Sequence, residues 1–496
     1  MPDLMQCSLK ITSIMGKSYI QISFLIGLNL MKYPSGERFK LTFLAALFTA
    51  LCSISVPSLA GNVILIIGDG MDDHQITIAR NYLVGSRGKL TLDQLPLRST
   101  AQVLTVDDVS SDRPIYVADS ANSATSIASG VATSIGRVGT SASDDKDLAN
   151  IVELAQQQGI KSGIVSTASI TDATPSAFYA HVNTRDCENP KMMVQAETYY
   201  KTIADCSPDL KSNGGLGSIS EQLVDSDIHV ALGGGMQHFV QVAEGSDQTV
   251  LQLAEKAEYQ VVTRATELNN NGSGRLLGLF SPGTMPVKWR GEDGRVAEKP
   301  IPSLLNRLHW TLGSVTYPEP MDCEDNPEYA GMPSLALMTE TALSRLTGGD
   351  SGADSFFLMI ESASIDKQSH LRKACGSIGE LQQLDEALDL ALEFAKLHPD
   401  TLVLVTADHG QAAQLVPERT LFIDIPVPVY SPGYLARINT VEGEIMGVNY
   451  ATNNFLSEEH TGVNVPLLSN AVGQGLVPAM VTQPEIFDII KSHLLK

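Results

Sequence analysis

At three places in this chain an uninterrupted apolar run stops at acids or histidines. The runs are GNVILIIGDGM (61–71), SFFLMIES (355–362) and TLVLVTADHG (401–410). A continuous apolar run of strand length, closed by a glycine turn or a polar residue, predicts a strand buried on both faces of a parallel sheet. Helical periodicity is seen over 148–158 and 381–397, with a shorter strand pattern at 162–166. Strands alternating with helices predict an α/β protein: a mostly parallel central sheet flanked by helices on both faces. Residues 269–331 are richer in Gly, Pro and Asn, and 417–457 carry Pro426, Pro428 and Pro432 close together. Both read as loop-rich insertions in a single domain spanning 61–496, and no internal repeat is evident.

The first 60 residues have a different pattern. From Met31, a candidate start, a basic segment (Lys32, Arg38, Lys40) leads into an apolar run over 41–56 and then Ser58-Leu59-Ala60. That layout predicts a secretory signal peptide cleaved after Ala60, and the run is short for a membrane span. Residues 1–30 receive no function. The expectation is an exported protein with no membrane anchor, periplasmic in a Gram-negative source and otherwise secreted.

The charge balance narrows the function. There are 34 Lys and Arg against 56 Asp and Glu, a formal net charge of −22. Residues 1–60 hold five of the basic and two of the acidic side chains, so the remainder stands at −25. This argues against a nucleic-acid binder, which needs a basic footprint. An anionic substrate would have to find its positive charge locally. Cys187, Cys206, Cys323 and Cys375 lie beyond the leader, and four cysteines allow three pairings. The sequence-adjacent pairing is the simplest, and a cysteine metal site competes without any C-x-x-C spacing to support it.

In open α/β sheets ligands bind beyond the carboxyl ends of the strands. Asp69 follows the first run, Asp408-His409 the third, and Glu361 closes the second. Beyond Glu361, DKQSH reads as the start of a helix, with Asp366 and His370 four apart on one face. His460, in EEHTG, adds a third imidazole. Each has a plainer reading: a solvated helix face, an Asp-Gly turn, a helix cap. Together, this mixture of Asp, Glu and His suits zinc or magnesium before copper or iron. In VADSANSATSIASG (117–130), Asp119-Ser120 opens a run of small residues. Ser120 there is either a helix cap or a nucleophile at an anion-binding helix N-terminus, activated by a metal. SITDATPSAFYAHVNTRDC (169–187) adds Asp172, Thr174 and Arg185. That Arg is either a surface charge or a two-pronged phosphate holder.

In order, IGDGM, ADSANSAT, TDATPSAF…HVNTRDC, ESASIDKQSH, TADHG and EEHTG resemble the signature segments of the alkaline phosphatase family, most closely its bacterial periplasmic members. The resemblance runs from about Asn62 to the C-terminus. It implies two zinc ions and one magnesium ion per subunit, in a homodimer that hydrolyses small phosphate monoesters to alcohol and inorganic phosphate through a phosphoserine. It implies Asp366, His370 and His460 around one zinc, and Asp69, Asp408 and His409 around the other. Asp69 would bridge to magnesium held by Glu361 and Thr174, with Asp172 supporting it through water. Ser120 would be the nucleophile and Arg185 the phosphate clamp, oriented by Asp119. Lys367 would pair with Asp172 and reach phosphate through water. The cysteine positions match two sequential disulfides, 187–206 and 323–375. One departure is Gln411, where many members have a second histidine; altered metal tuning with retained activity is the expectation. Diesterase or sulfatase chemistry is disfavoured, since Ser120 lacks a C/S-x-P-x-R context and diesterases commonly use Thr. A binding protein without turnover is the remaining alternative.

Overall fold

The computed structural model of the protein describes residues 7–14, 17–24, 61–197, 203–268, 274–348, 355–417, 427–428 and 430–496. The chain divides into two compact units, Met1–Ser58 and Leu59–Lys496. In the first, Cys7–Ile14 pairs antiparallel with Lys17–Phe24. The basic and apolar leader expected over 31–60 lies outside the described residues. Among those residues, no helix is long and apolar enough to cross a membrane.

The second unit is built on a ten-stranded sheet. Its strands, in chain order, are β1 (Asn62–Gly68), β2 (Leu97–Gln102), β3 (Lys161–Ser169), β4 (Val230–Gly234), β5 (Gln260–Val262), β6 (Leu276–Leu279), β7 (Phe356–Ser362), β8 (Thr401–Ala407), β9 (Val465–Ser469) and β10 (Met480–Thr482). They lie in the order β5-β6-β4-β3-β7-β1-β8-β9-β2-β10. Only β9 runs against its neighbours, β8 and β2. The three apolar runs are the adjacent strands β7, β1 and β8, and every residue of β7 and β8 is buried. That is why they read as unbroken apolar stretches: neither face meets water.

Helices cover this sheet in two layers. One contains α1 (Asp73–Val84), α5 (Leu335–Leu346), α6 (Ser364–His370) and α7 (Ala374–Leu397); the other contains α2 (Ser120–Ser129), α3 (Ile151–Gln156), α4 (Ala173–Ser176) and α8 (Gln483–Leu494). The periodicity over 148–158 resolves to the short α3, started by Asn150, which accepts from Glu153 N while Glu153 accepts from Asn150 N. The periodicity over 381–397 is only the second part of α7. Residues 374–381 are buried all round and include Gly376 and Gly379, so they present no polar face to reveal a helix. Leu276–Leu279, within the segment expected as an insertion, is strand β6 of the main sheet. Beyond it the chain makes two small antiparallel pairs, Trp289–Gly291 with Cys323–Asp325 and Ile301–Pro302 with Val315–Thr316. Ala413–Val416, Tyr434–Asn439 and Ile445–Tyr450 form a separate three-stranded antiparallel sheet. Disulfides join Cys187 to Cys206 and Cys323 to Cys375.

Candidate active site

Register places the chemistry. Gly68 of β1 is level with Ser362 of β7 and Ala407 of β8, so the residues that follow emerge side by side at one sheet edge. Gly70, with φ +70, makes the turn after β1 and donates its N–H to Asp408 Oδ1 at 2.9 Å. A Cβ at Gly70 would lie 3.0 Å from Asp366 Cβ, so the approach of α6 to this turn also favours glycine.

Two groups of metal-type donors meet there. His370 Nε2 lies 3.2 Å from Asp366 Oδ2 and 3.1 Å from His460 Nε2, and His460 Nε2 lies 3.4 Å from Asp366 Oδ1. In the second group His409 Nε2 is 3.4 Å from Asp69 Oδ1 and 3.3 Å from Asp408 Oδ2. The His409 and His460 rings stack with centroids 3.6 Å apart, so the two groups adjoin.

The other nitrogen of each ring explains the orientation. His370 Nδ1 donates to Glu458 O, His460 Nδ1 to Ala118 O at 2.8 Å and His409 Nδ1 to Gly410 O at 3.2 Å. With Nδ1–H committed to a carbonyl, a neutral ring turns the lone pair of Nε2 inward. The electrostatics differ between the two groups. Burial first, then Asp408, Asp366 and Glu361, push Asp69 well above the usual carboxylate range. Burial and the nearby Asp172 raise Glu361 to about 7, although Ser166 donates to it. Asp366 is held well below the usual range because His370 and His460 overcome its burial, and His460 in turn is pushed up to about 9 by Asp366 against burial. His409 is lowered, chiefly by burial. Asp408 Oδ2 and Thr174 Oγ1 are buried without a hydrogen-bond partner among the described residues. An unpaired buried carboxylate oxygen facing an imidazole lone pair is costly unless a cation joins them. Both donor sets therefore fit divalent metal ions.

Beside these groups stands Ser120, first residue of the wholly buried α2. Its Oγ is 3.2 Å from His409 Nε2 and 3.5 Å from Asp69 Oδ1. Asp119 caps α2 by accepting from Asn122 N at 3.0 Å, while its Oδ2 takes Arg185 Nη1 at 3.4 Å. Arg185 Nη2 donates to Asp172 Oδ1 at 2.9 Å, and Lys367 Nζ to Asp172 Oδ2 at 2.6 Å. Those two cations hold Asp172 far below its usual range despite burial, and it raises both of them in return. Gln411 Nε2 donates to Asp366 Oδ1 at 2.5 Å, so the amide at the departing position does bond a carboxylate of the first group.

Three supporting residues escaped the sequence reading. Glu458, fully buried, pairs with Arg372 Nε at 2.7 Å and so fixes the carbonyl that His370 grips. Asp72 caps α1 and accepts from Gln411 N at 3.2 Å. Glu380 accepts from Thr167 Oγ1 at 2.8 Å and Ser362 Oγ at 3.2 Å, tying β3 to β7 beneath α6. Glu458 could have been suspected from its place two residues before His460. Glu380 lies just before the periodic stretch 381–397, where no local signal marks it.

The alkaline phosphatase family model matches residues 60–465. Alkaline phosphatase of Escherichia coli is 37% identical over 444 residues, 88% of this chain and 86% of that protein. Streptomycin-6-phosphate phosphatase of Streptomyces griseus is 40% identical, covering 89% of this chain and 92% of the relative. Among solved structures, Thermus thermophilus alkaline phosphatase matches with TM-score 0.62 at 20% identity, over 89% of this chain and 92% of that one, which speaks to the fold alone. With these relatives and its paired donor groups at the sheet edge, the chain belongs to the alkaline phosphatase family and is a phosphoric monoester hydrolase.

Proposed function

We propose that this chain is an exported phosphomonoesterase that works through a phosphoserine on Ser120. The observation that carries this reading is the position of Ser120 Oγ, 3.2 Å from His409 Nε2, at a helix N-terminus whose cap, Asp119, also holds Arg185. Asp366, His370 and His460 would hold one zinc ion, and Asp69, Asp408 and His409 a second. Asp69, Glu361 and Thr174 would hold magnesium, with Asp172 supporting it through water. When bound, these ions supply Lewis acidity to the serine, the departing alcohol and the incoming water.

The protein's own groups do the rest. Arg185 holds two non-reacting phosphate oxygens, kept in place by Asp119 and Asp172. Free N–H groups at the start of α2 and the helix dipole favour the same anion. Lys367 neutralises Asp172, which leaves Arg185 able to face phosphate. In the first displacement the Ser120 Oγ–phosphorus bond forms as the phosphorus–alcohol oxygen bond breaks. Water then takes the phosphoryl group, Ser120 is regenerated, and two inversions give net retention. This local positive charge answers the overall charge of −22.

Export is supported by the leader pattern over 31–60 and by the two disulfides, which persist in oxidising compartments. We place the catalytic domain at 61–496, in a homodimer as the family implies. The test is elemental analysis of the purified protein beside phosphomonoesterase assays with and without chelator. Ser120→Ala should keep the metal content and lose most turnover; wild-type rate in that variant would remove Ser120 as nucleophile.

A further inference from the structure

A cavity of about 420 Å³ lies against α6 on the face next to the donor groups. By the helical period, Asp366 and His370 share one face of α6, while Ser364, Lys367 and Gln368 share the neighbouring one. The second face lines the cavity together with Arg290 and Arg295, from the stretch after β6, and Lys373 at the start of α7. Four cations therefore line the cavity against one carboxylate, Glu328, in a chain of net charge −22. Arg290 pairs with Glu324 at 2.8 Å, Arg295 with Glu298 at 3.1 Å and Lys367 with Asp172 at 2.6 Å. None of those three carboxylates lines the cavity, so each holds its cation in place from outside. No hydrogen bond or ion pair engages the Lys373 ammonium among the described residues.

Lys367 connects this cavity to the phosphate clamp. Its Nζ bonds one oxygen of Asp172 while Arg185 bonds the other. For an ester whose phosphate sat on Arg185, Lys367 would stand between that phosphate and this basic wall. We propose that the cavity receives a second anionic group carried by the alcohol, so that bisphosphates and phosphate esters bearing a carboxylate are preferred over those with neutral or cationic alcohols. This rests on the phosphomonoesterase reading above.

The test compares kcat/KM of the zinc- and magnesium-loaded protein on alkanediol bisphosphates of increasing length, the matching monophosphates, phosphocholine and para-nitrophenyl phosphate. If para-nitrophenyl phosphate is not hydrolysed, the phosphomonoesterase reading fails and the cavity's role falls with it. With that activity present, some bisphosphate should exceed its monophosphate by about tenfold, as charge-assisted contacts allow. Lys373→Gln should raise the bisphosphate KM roughly fivefold and leave para-nitrophenyl phosphate unchanged. Lys373→Glu should move the preference toward phosphocholine, and added salt should weaken the bisphosphates selectively. Equal kcat/KM across the whole series, or an equal loss on both kinds of substrate in the Lys373 variants, would overturn the proposal.

Discussion

His460 occupies the most demanding position among the individual residues. Its Nδ1 is held by the carbonyl of Ala118, its ring stacks on His409, and Asp366 pushes it up to about 9 against burial. A raised imidazole is protonated below that pH, so an incoming cation must displace a proton from the nitrogen it needs. Zinc affinity of the Asp366–His370–His460 group should therefore climb about tenfold per pH unit up to its folded value, then level off. Calorimetry in buffers of different ionisation enthalpy would count the proton released, and a flat affinity profile would contradict the assignment. Gln411 belongs to the same group. Its amide donates to Asp366 Oδ1 and its carbonyl oxygen accepts from Ala412 N at 2.7 Å, so it orients the carboxylate without contributing charge.

At the scale of elements, Asp119 joins the cap of α2 to Arg185, the phosphate holder of the proposed mechanism. The carboxylate caps the helix at Asn122 N, accepts from Gly136 N at 3.2 Å and holds Arg185. These tasks separate by substitution. Asp119→Asn keeps a capping oxygen and removes the charge, so the melting temperature should hold while the phosphate inhibition constant rises. Asp119→Ala should do the same to phosphate and also cost about 1 kcal/mol of stability from the lost cap. Thermal unfolding beside phosphate inhibition distinguishes them; equal inhibition constants in wild type and Asp119→Asn would detach Asp119 from Arg185. Elements also differ in how plainly the sequence announces them. β1, β7 and β8 are long, apolar and free of internal proline, so they are read without difficulty. β4 ends in Gly233-Gly234, β6 has four residues including Gly278, and β9 contains Pro466. Glycine and proline weaken a strand pattern, and those strands exist because the sheet beside them supplies partners.

For the whole molecule, the issue is the concentration of acid at one edge. Asp69, Asp408, Glu361 and Asp366 are buried together, and Asp408 Oδ2 has no hydrogen-bond partner among the described residues. Divalent ions that bind the folded chain and not the unfolded one stabilise it by mass action. Protein stripped by chelator should melt well below the loaded form, since each ion at a hundredfold excess over its Kd contributes about 3 kcal/mol. Calorimetry before and after return of zinc and magnesium would show this, and an unchanged melting temperature would mean that the acid cluster is accommodated without cations.

The chain by itself determined the buried strands, the residue types at their ends, and the ordered segments that mark the family. These are local properties: side-chain periodicity, a turn glycine, an acid or histidine where a run stops. Only the tertiary structure decided which of them meet. Ser120 reaches His409 across 289 positions, His460 reaches Ala118 across 342, and Gln411 reaches Asp366 across 45. It also formed the two sequential disulfides that the resemblance implied, and it revealed Glu380, Asp72 and Glu458 behind the site. The cavity beside Lys367 draws on α6, the stretch after β6 and the start of α7, so no single segment could announce it. The reason is physical: strand order and register bring distant segments to one edge, and neither is encoded within the reach of a local pattern.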